Sequence, residues 1–89
     1  MEIAILEKDK KFLRIEVQGE DHTLANALRK ELWQDKDVKA AGYNIEHPLV
    51  SDPVIVIETE RQDPEKALLG AVDRLKKKNA ELLKAIQTL

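Results

Sequence analysis

The sequence predicts an α+β fold: a four-stranded antiparallel or mixed sheet with two helices on one face, in the order ββαββα. Three observations carry this reading. Two stretches of alternating hydrophobicity, joined by a charged link, open the chain, and a leucine-spaced helical stretch follows them directly. A second pair of extended stretches then leads to an Asp-Pro signal and a long heptad pattern.

The first strand is predicted over Met1 to Leu6, with Ile3 and Ile5 on one face. Glu7 to Lys11 forms a charged turn. From Phe12 to Gln18, Leu13, Ile15 and Val17 point one way and Arg14, Glu16 and Gln18 the other, the period of a half-buried strand. Gly19-Glu20-Asp21-His22 is a polar lead-in to a helix that fades near Gln34 to Asp37. Leu24, Leu28 and Leu32 recur every fourth position with Ala25 and Ala27 beside them, while Arg29, Lys30 and Glu31 supply the polar side. Thr23 and Asp21 compete as N-cap, and Asn26 sits where a capping box would want Glu or Gln.

Val38 to His47 is the next extended stretch, with Tyr43, Ile45 and Ala41 on one face. Gly42 in mid-strand predicts a bulge or a close backbone approach. Pro48 ends the strand and Ser51-Asp52-Pro53 makes a turn. Val54-Ile55-Val56-Ile57 is apolar on both faces, which marks a central strand or one with a covered outer face. Asp63 as N-cap and Pro64 at the first helical position start the last helix. That helix is about 25 residues, or roughly 37 Å, too long for a sheet only about 20 Å along its strands. Leu68, Val72, Leu75, Asn79, Leu82, Ile86 and Leu89 follow one another at 4-3-4-3-4-3 spacing, a heptad seam with one polar member. Asn79 either fixes register with a partner helix or marks where the helix leaves its own core. The far end, around Leu82, Ile86 and Leu89, is expected to expose an apolar stripe that wants a partner.

Composition excludes more than it selects. The 89 residues suit one small domain. There is no cysteine, so neither a disulfide framework nor a thiolate metal site. A formal charge of −2 gives no bulk attraction to nucleic acid, and three aromatics make a poor base-stacking platform. No signal-peptide pattern and no apolar run near 18 residues is present, so a soluble cytoplasmic protein is expected. His22 and His47 read as helix lead-in and strand end rather than ligands. Ser51 reads as a turn residue. Gly19, Gly42 and Gly70 stand alone and make no phosphate loop. Arg74, Lys76, Lys77 and Lys78 on the last helix, and Lys8, Lys10 and Lys11 in the first turn, read as solvated surface rather than phosphate contacts. No catalytic residue, metal ligand or cofactor is expected in this chain.

Two blocks, Glu20-Asp21-His22-Thr23-Leu24-Ala25-Asn26 running on to Leu32, and Ala41 to Leu49, resemble the family of the L subunit of archaeal DNA-directed RNA polymerase. This is the small alpha-like subunit, with a counterpart in eukaryotic RNA polymerase II, and the likeness extends through the long helix after Asp63-Pro64. The resemblance implies the fold of the dimerisation domain of the bacterial alpha subunit over residues 1–89. It also implies a non-catalytic assembly role in a nucleotidyltransferase: pairing with the larger alpha-like polypeptide, the D subunit, then joining the N and P subunits and the large catalytic subunits. Carried onto this chain, it puts Leu24, Leu28, Leu32, Leu68, Val72, Leu75, Leu82 and Ile86 in the partner contact. Glu20, Asp21, His22, Thr23 and Asn26 form the family motif. It requires no membrane and no direct nucleic-acid contact. A free homodimer through the heptad seam and a small enzyme with a cleft under the helices are the competing readings.

Overall fold

The computed structural model describes residues 2–20, 22–44 and 52–89. Its elements are β1 (Glu2–Lys8), β2 (Phe12–Gln18), α1 (His22–Leu32), β3 (Val38–Asn44), β4 (Val54–Thr59) and α2 (Pro64–Gln87). The expected ββαββα order holds. The sheet is fully antiparallel in the order β1-β2-β4-β3, so β4 is inserted between the two strands that α1 connects. The doubly apolar Val54-Ile55-Val56-Ile57 run is therefore an interior strand. Ile45, His47, Pro48, Ser51 and Asp21, for which strand, turn and cap roles were expected, lie outside the described residues.

Alternation decides the two faces. Leu13, Ile15 and Val17 on β2 share a face with Ile57 and Ile55, which stand opposite Leu13 and Ile15 on β4, and with Ala41 and Tyr43 on β3. This side meets Ala25, Leu28 and Leu32 of α1 and Ala67 and Ala71 of α2 in one core. The small alanines let α2 lie close against α1 and the sheet. Arg14, Glu16, Val54, Val56 and Gly42 fall on the opposite face.

Two register shifts depart from simple alternation. In β1 the shift lies between Ile5 and Glu7, so that Glu7 stands opposite Arg14 and Lys8 opposite Leu13. An unbroken strand would have put Glu7 on the helix side with Ile3 and Ile5. The bulge moves Glu7 to an ion pair with Arg14 at 3.1 Å and brings Lys8 round to Glu65 in the first turn of α2. In β3 the shift lies between Val38 and Ala40, not at Gly42, where an added Cβ would meet nothing within 4 Å. Gly42 is thus neither bulge nor close approach; it stands opposite Val56 on the helix-free face. Gly70 likewise marks no close backbone contact, since its nearest neighbour would be the Arg74 guanidinium at 3.4 Å. Gly19 is different: its φ of 83° turns the chain from β2 into α1, a conformation that other residues avoid. The Asp52 carboxylate accepts the Gly19 N–H at 3.0 Å and fixes that turn to the start of β4.

α1 starts at His22, one residue before the Thr23 candidate cap. The Arg29 guanidinium donates to the Asn26 side chain at 2.6 Å, so Asn26 serves an i,i+3 pair within the helix instead of a capping box. After Leu32 two tight turns end α1, with Gln34 N–H donating to the Glu31 carbonyl and Asp35 N–H to that of Leu32. The Trp33 indole N–H donates to the Ala41 carbonyl of edge strand β3 at 3.0 Å. Asp63 caps α2 as expected, accepting the Glu65 N–H at 2.9 Å with Pro64 in the first turn. One clasp has no counterpart in the sequence pattern. The Asp37 carboxylate accepts the backbone N–H groups of Gln62 at 2.8 Å and Arg61 at 3.1 Å, and the Gln62 side chain donates to Asp35. The Gln62 N–H above all, with Arg61, holds the Asp37 carboxyl below its ordinary range. The loop after α1 is so tied to the turn that launches α2.

Candidate interaction surface

α2 spends only its first turns on the chain's own core. Its buried residues are Pro64, Ala67 and Ala71, all within its first eight. Leu68 and Leu75 pack partly against the core, and beyond Leu75 every residue is exposed. The heptad seam is therefore divided. Asn79 falls just past the last half-buried position, where the helix leaves its own core, which favours the second of its two readings. Leu82 remains 60% and Ile86 55% exposed, with Leu83 and Leu89 also open to solvent. The expected overhang is present.

Before the overhang, α1, α2 and the helix side of β1 and β2 enclose an open groove of about 760 Å³. Leu24, Leu28, Leu68, Val72 and Leu75 line it, together with Ile3 and Leu69. Five of the eight residues expected at a partner contact thus share one groove. Leu82 and Ile86 continue the same helix beyond it. Leu32 does not join them: it is fully buried in the chain's own core, one turn past Leu28 on the side of α1 that faces the sheet. Of the family motif, Thr23 is exposed at the groove edge, Glu20 and Asn26 are half-buried, and Asp21 lies outside the described residues. His22 opens α1.

A charged cluster braces the two helices. Glu31 is only 3% exposed, although its neighbours Arg29 and Lys30 suggest a polar side. Lys78 of α2 donates to one Glu31 carboxylate oxygen, and the Arg74 guanidinium donates to the Glu31 carbonyl at 2.6 Å, a second bond to an acceptor that the Gln34 N–H also uses at the end of α1. The other carboxylate oxygen lies 3.5 Å from Arg74 Nε, an ion pair without a hydrogen bond. Lys78 first, with Arg74 behind it, holds the Glu31 carboxyl below 4.5 against the opposing effect of burial. Arg74 and Lys78 are thus structural, not free basic surface. Lys77 does remain on the surface, 3.6 Å from Asp73 in the expected i,i+4 pair.

Among the described residues no group of three or more His, Cys, Asp or Glu side chains is placed to hold a metal ion, and no helix is long and apolar enough to cross a membrane. A small sheet with both helices on one side, and an apolar groove that runs on into an unsupported helix, defines a protein-pairing module. Comparison with known proteins agrees. Residues 13–85 match the family model described as the RNA polymerase Rpb3/Rpb11 dimerisation domain. DNA-directed RNA polymerase subunit Rpo11 of Methanocella arvoryzae is 42% identical over 85 residues, covering 94% of this chain and 91% of that protein. The Rpo11 subunit of Archaeoglobus fulgidus is 37% identical over 89 residues, covering 100% of this chain and 95% of that one. The crystal structure of the L subunit of DNA-directed RNA polymerase from Thermoplasma acidophilum superposes with a TM-score of 0.88 at 29% identity, covering 98% of this chain and 86% of that one. The chain belongs to the RNA polymerase Rpb3/Rpb11 dimerisation-domain family, as a homologue of the archaeal Rpo11, or L, subunit.

Proposed function

We propose that this chain is the small, non-catalytic assembly subunit of an archaeal DNA-directed RNA polymerase. Residues 1–89 act as one dimerisation domain that pairs with the larger alpha-like polypeptide, the D subunit. The heterodimer is then the platform for the N and P subunits and for the two large catalytic subunits. The chain contributes no reacting group and needs no cofactor. The observation that carries this reading is the apolar surface running from the groove at Leu24, Leu28 and Val72 along α2 to Leu82 and Ile86. Burying a leucine completely is worth roughly 2 kcal/mol, so several left open on one face favour association strongly.

Coexpression with a tagged larger alpha-like partner tests the assignment. A one-to-one complex that sediments as a heterodimer is expected. Failure of the two chains to associate, or a tight homodimer of this chain that the larger partner cannot displace, overturns it.

A further inference from the structure

Beyond Leu75 the hold of the domain on α2 is polar. Ala71 is the last buried residue of the helix, Leu75 its last half-buried one, and every residue from Lys76 on is exposed. Arg74 and Lys78 lie four apart on one side of α2, and both reach back to Glu31 near the end of α1. They hold it at two points: Arg74 at the backbone carbonyl and Lys78 at the carboxylate, whose other oxygen lies 3.5 Å from Arg74 Nε. Glu31 is thus tethered at backbone and side chain while only 3% exposed. Replacing a buried ion pair by well-packed apolar residues is often neutral or stabilising, so stability alone does not account for a charged cluster at this contact.

We propose that Glu31 is a positioning residue: through Arg74 and Lys78 it fixes the angle at which α2 crosses α1, and with it the direction in which the exposed half of α2 leaves the domain. Apolar packing alone leaves such an angle loosely set, since helix pairs of one packing class scatter by about 15–20°. Ala71 is the pivot for that scatter. Lys84 lies about 20 Å beyond it at 1.5 Å per residue, so a tilt of about 15° carries Lys84 about 5 Å sideways. Arg74 and Lys78 stand three and seven residues past Ala71, where bonds to a buried residue oppose the tilt. Resting on the heterodimer reading, Leu82 and Ile86 are then offered to the partner already aimed, with little direction left to be ordered on encounter.

The chain has no cysteine, so Glu58→Cys on β4 and Lys84→Cys on α2, both at exposed positions, supply two unique thiols for spin labels. In the full free chain, the distance between the labels read by pulsed electron resonance is expected to show one narrow distribution. Adding Glu31→Leu/Arg74→Met replaces the buried pair by apolar side chains. Tm is expected to stay within about 4 °C of the labelled parent or to rise, while the distribution widens by about 5 Å. A distribution as narrow as the parent's overturns the proposal, whatever happens to Tm. Should that variant not fold, Lys78→Ala decides: its side chain is 63% exposed, and the widening is expected there and is expected to be reversed by Lys78→Arg. No widening in Lys78→Ala, or equal widening in both, overturns the proposal. Coexpressed with the larger alpha-like partner, Glu31→Leu/Arg74→Met is expected to pair about tenfold more weakly. Equal pairing despite a widened distribution overturns the link from aim to pairing, whereas absence of any complex with the unsubstituted chain removes the heterodimer reading instead.

Discussion

Truncating Leu82 and Ile86 together to alanine separates what α2 does for its own domain from what it does for a partner. Full burial of a leucine or isoleucine is worth about 1.5–3 kcal/mol. In the free chain Leu82 is 60% and Ile86 55% exposed, so rather more than half of each remains for a partner to cover. Alanine removes most of that area, and the pair is therefore worth about 2–3 kcal/mol of association. That corresponds to a weakening of about 30- to 150-fold in Kd for the larger alpha-like partner, measured by calorimetric titration or sedimentation. The free chain should scarcely notice. Alanine is a better helix former than either residue it replaces, so Tm is expected to stay within about 4 °C. A Kd within about threefold of wild type would refute the pairing role of the overhang. A large fall in Tm would place these side chains in the chain's own core instead.

Three further outcomes follow from residues already placed. Leu28 is 7% exposed, so Leu28→Asp buries an unpaired carboxylate and should cost about 3 kcal/mol or more, seen as a collapsed thermal transition and loss of pairing; normal folding and assembly would refute the seating of α1 on the sheet. The folded-state carboxyl of Glu31 is held below its unfolded value of 4.5, so its contribution is present above 4.5 and is lost as pH falls through the lower folded value. Urea midpoints should therefore drop more steeply with acid in wild type than in Glu31→Gln, and parallel curves would deny the brace. Lys77→Ala should change stability by about 0.5 kcal/mol or less, because its partner Asp73 is similarly solvated, and a salt-dependent loss of DNA binding in the assembled enzyme would contradict its assignment as plain surface.

Local pattern made most of this fold legible. The alternation of Leu13, Ile15 and Val17, the Asp63-Pro64 start and the mismatch between a 24-residue helix and a short sheet are all properties of neighbouring residues. What escaped depends on distant ones. Glu31 sits beside two cations on α1, and only folding brings Arg74 and Lys78, 43 and 47 positions away, to its carbonyl and carboxylate. The Asp37 clasp similarly joins residues 24 and 25 positions apart. The bulge after Ile5 escaped because the charges from Glu7 onward read as a turn, whereas β1 continues through Lys8 and pairs Glu7 with Arg14 across the shift. The groove was only partly legible: the four-residue spacing groups Leu32 with Leu28, but periodicity does not tell which leucine of a stripe is sealed in the core and which lines the groove. It also identified Ile3 and Ile5 as one face without telling that both stay more than half exposed.

The Trp33 indole on the Ala41 carbonyl has a bearing on how such a chain survives before it is assembled. A subunit with exposed leucines, and with edges of β1 and β3 that no other described strand pairs, faces competing reactions during synthesis, because exposed edges of neighbouring copies can zip together. An incoming strand at β3 finds the Ala41 acceptor already occupied and a bulky ring in its path. That blunts the edge-to-edge route at β3 without touching the helical side. Sticky surface is thus reduced at one of the two edge strands, and the time spent waiting for a partner costs less in misassembled polymer.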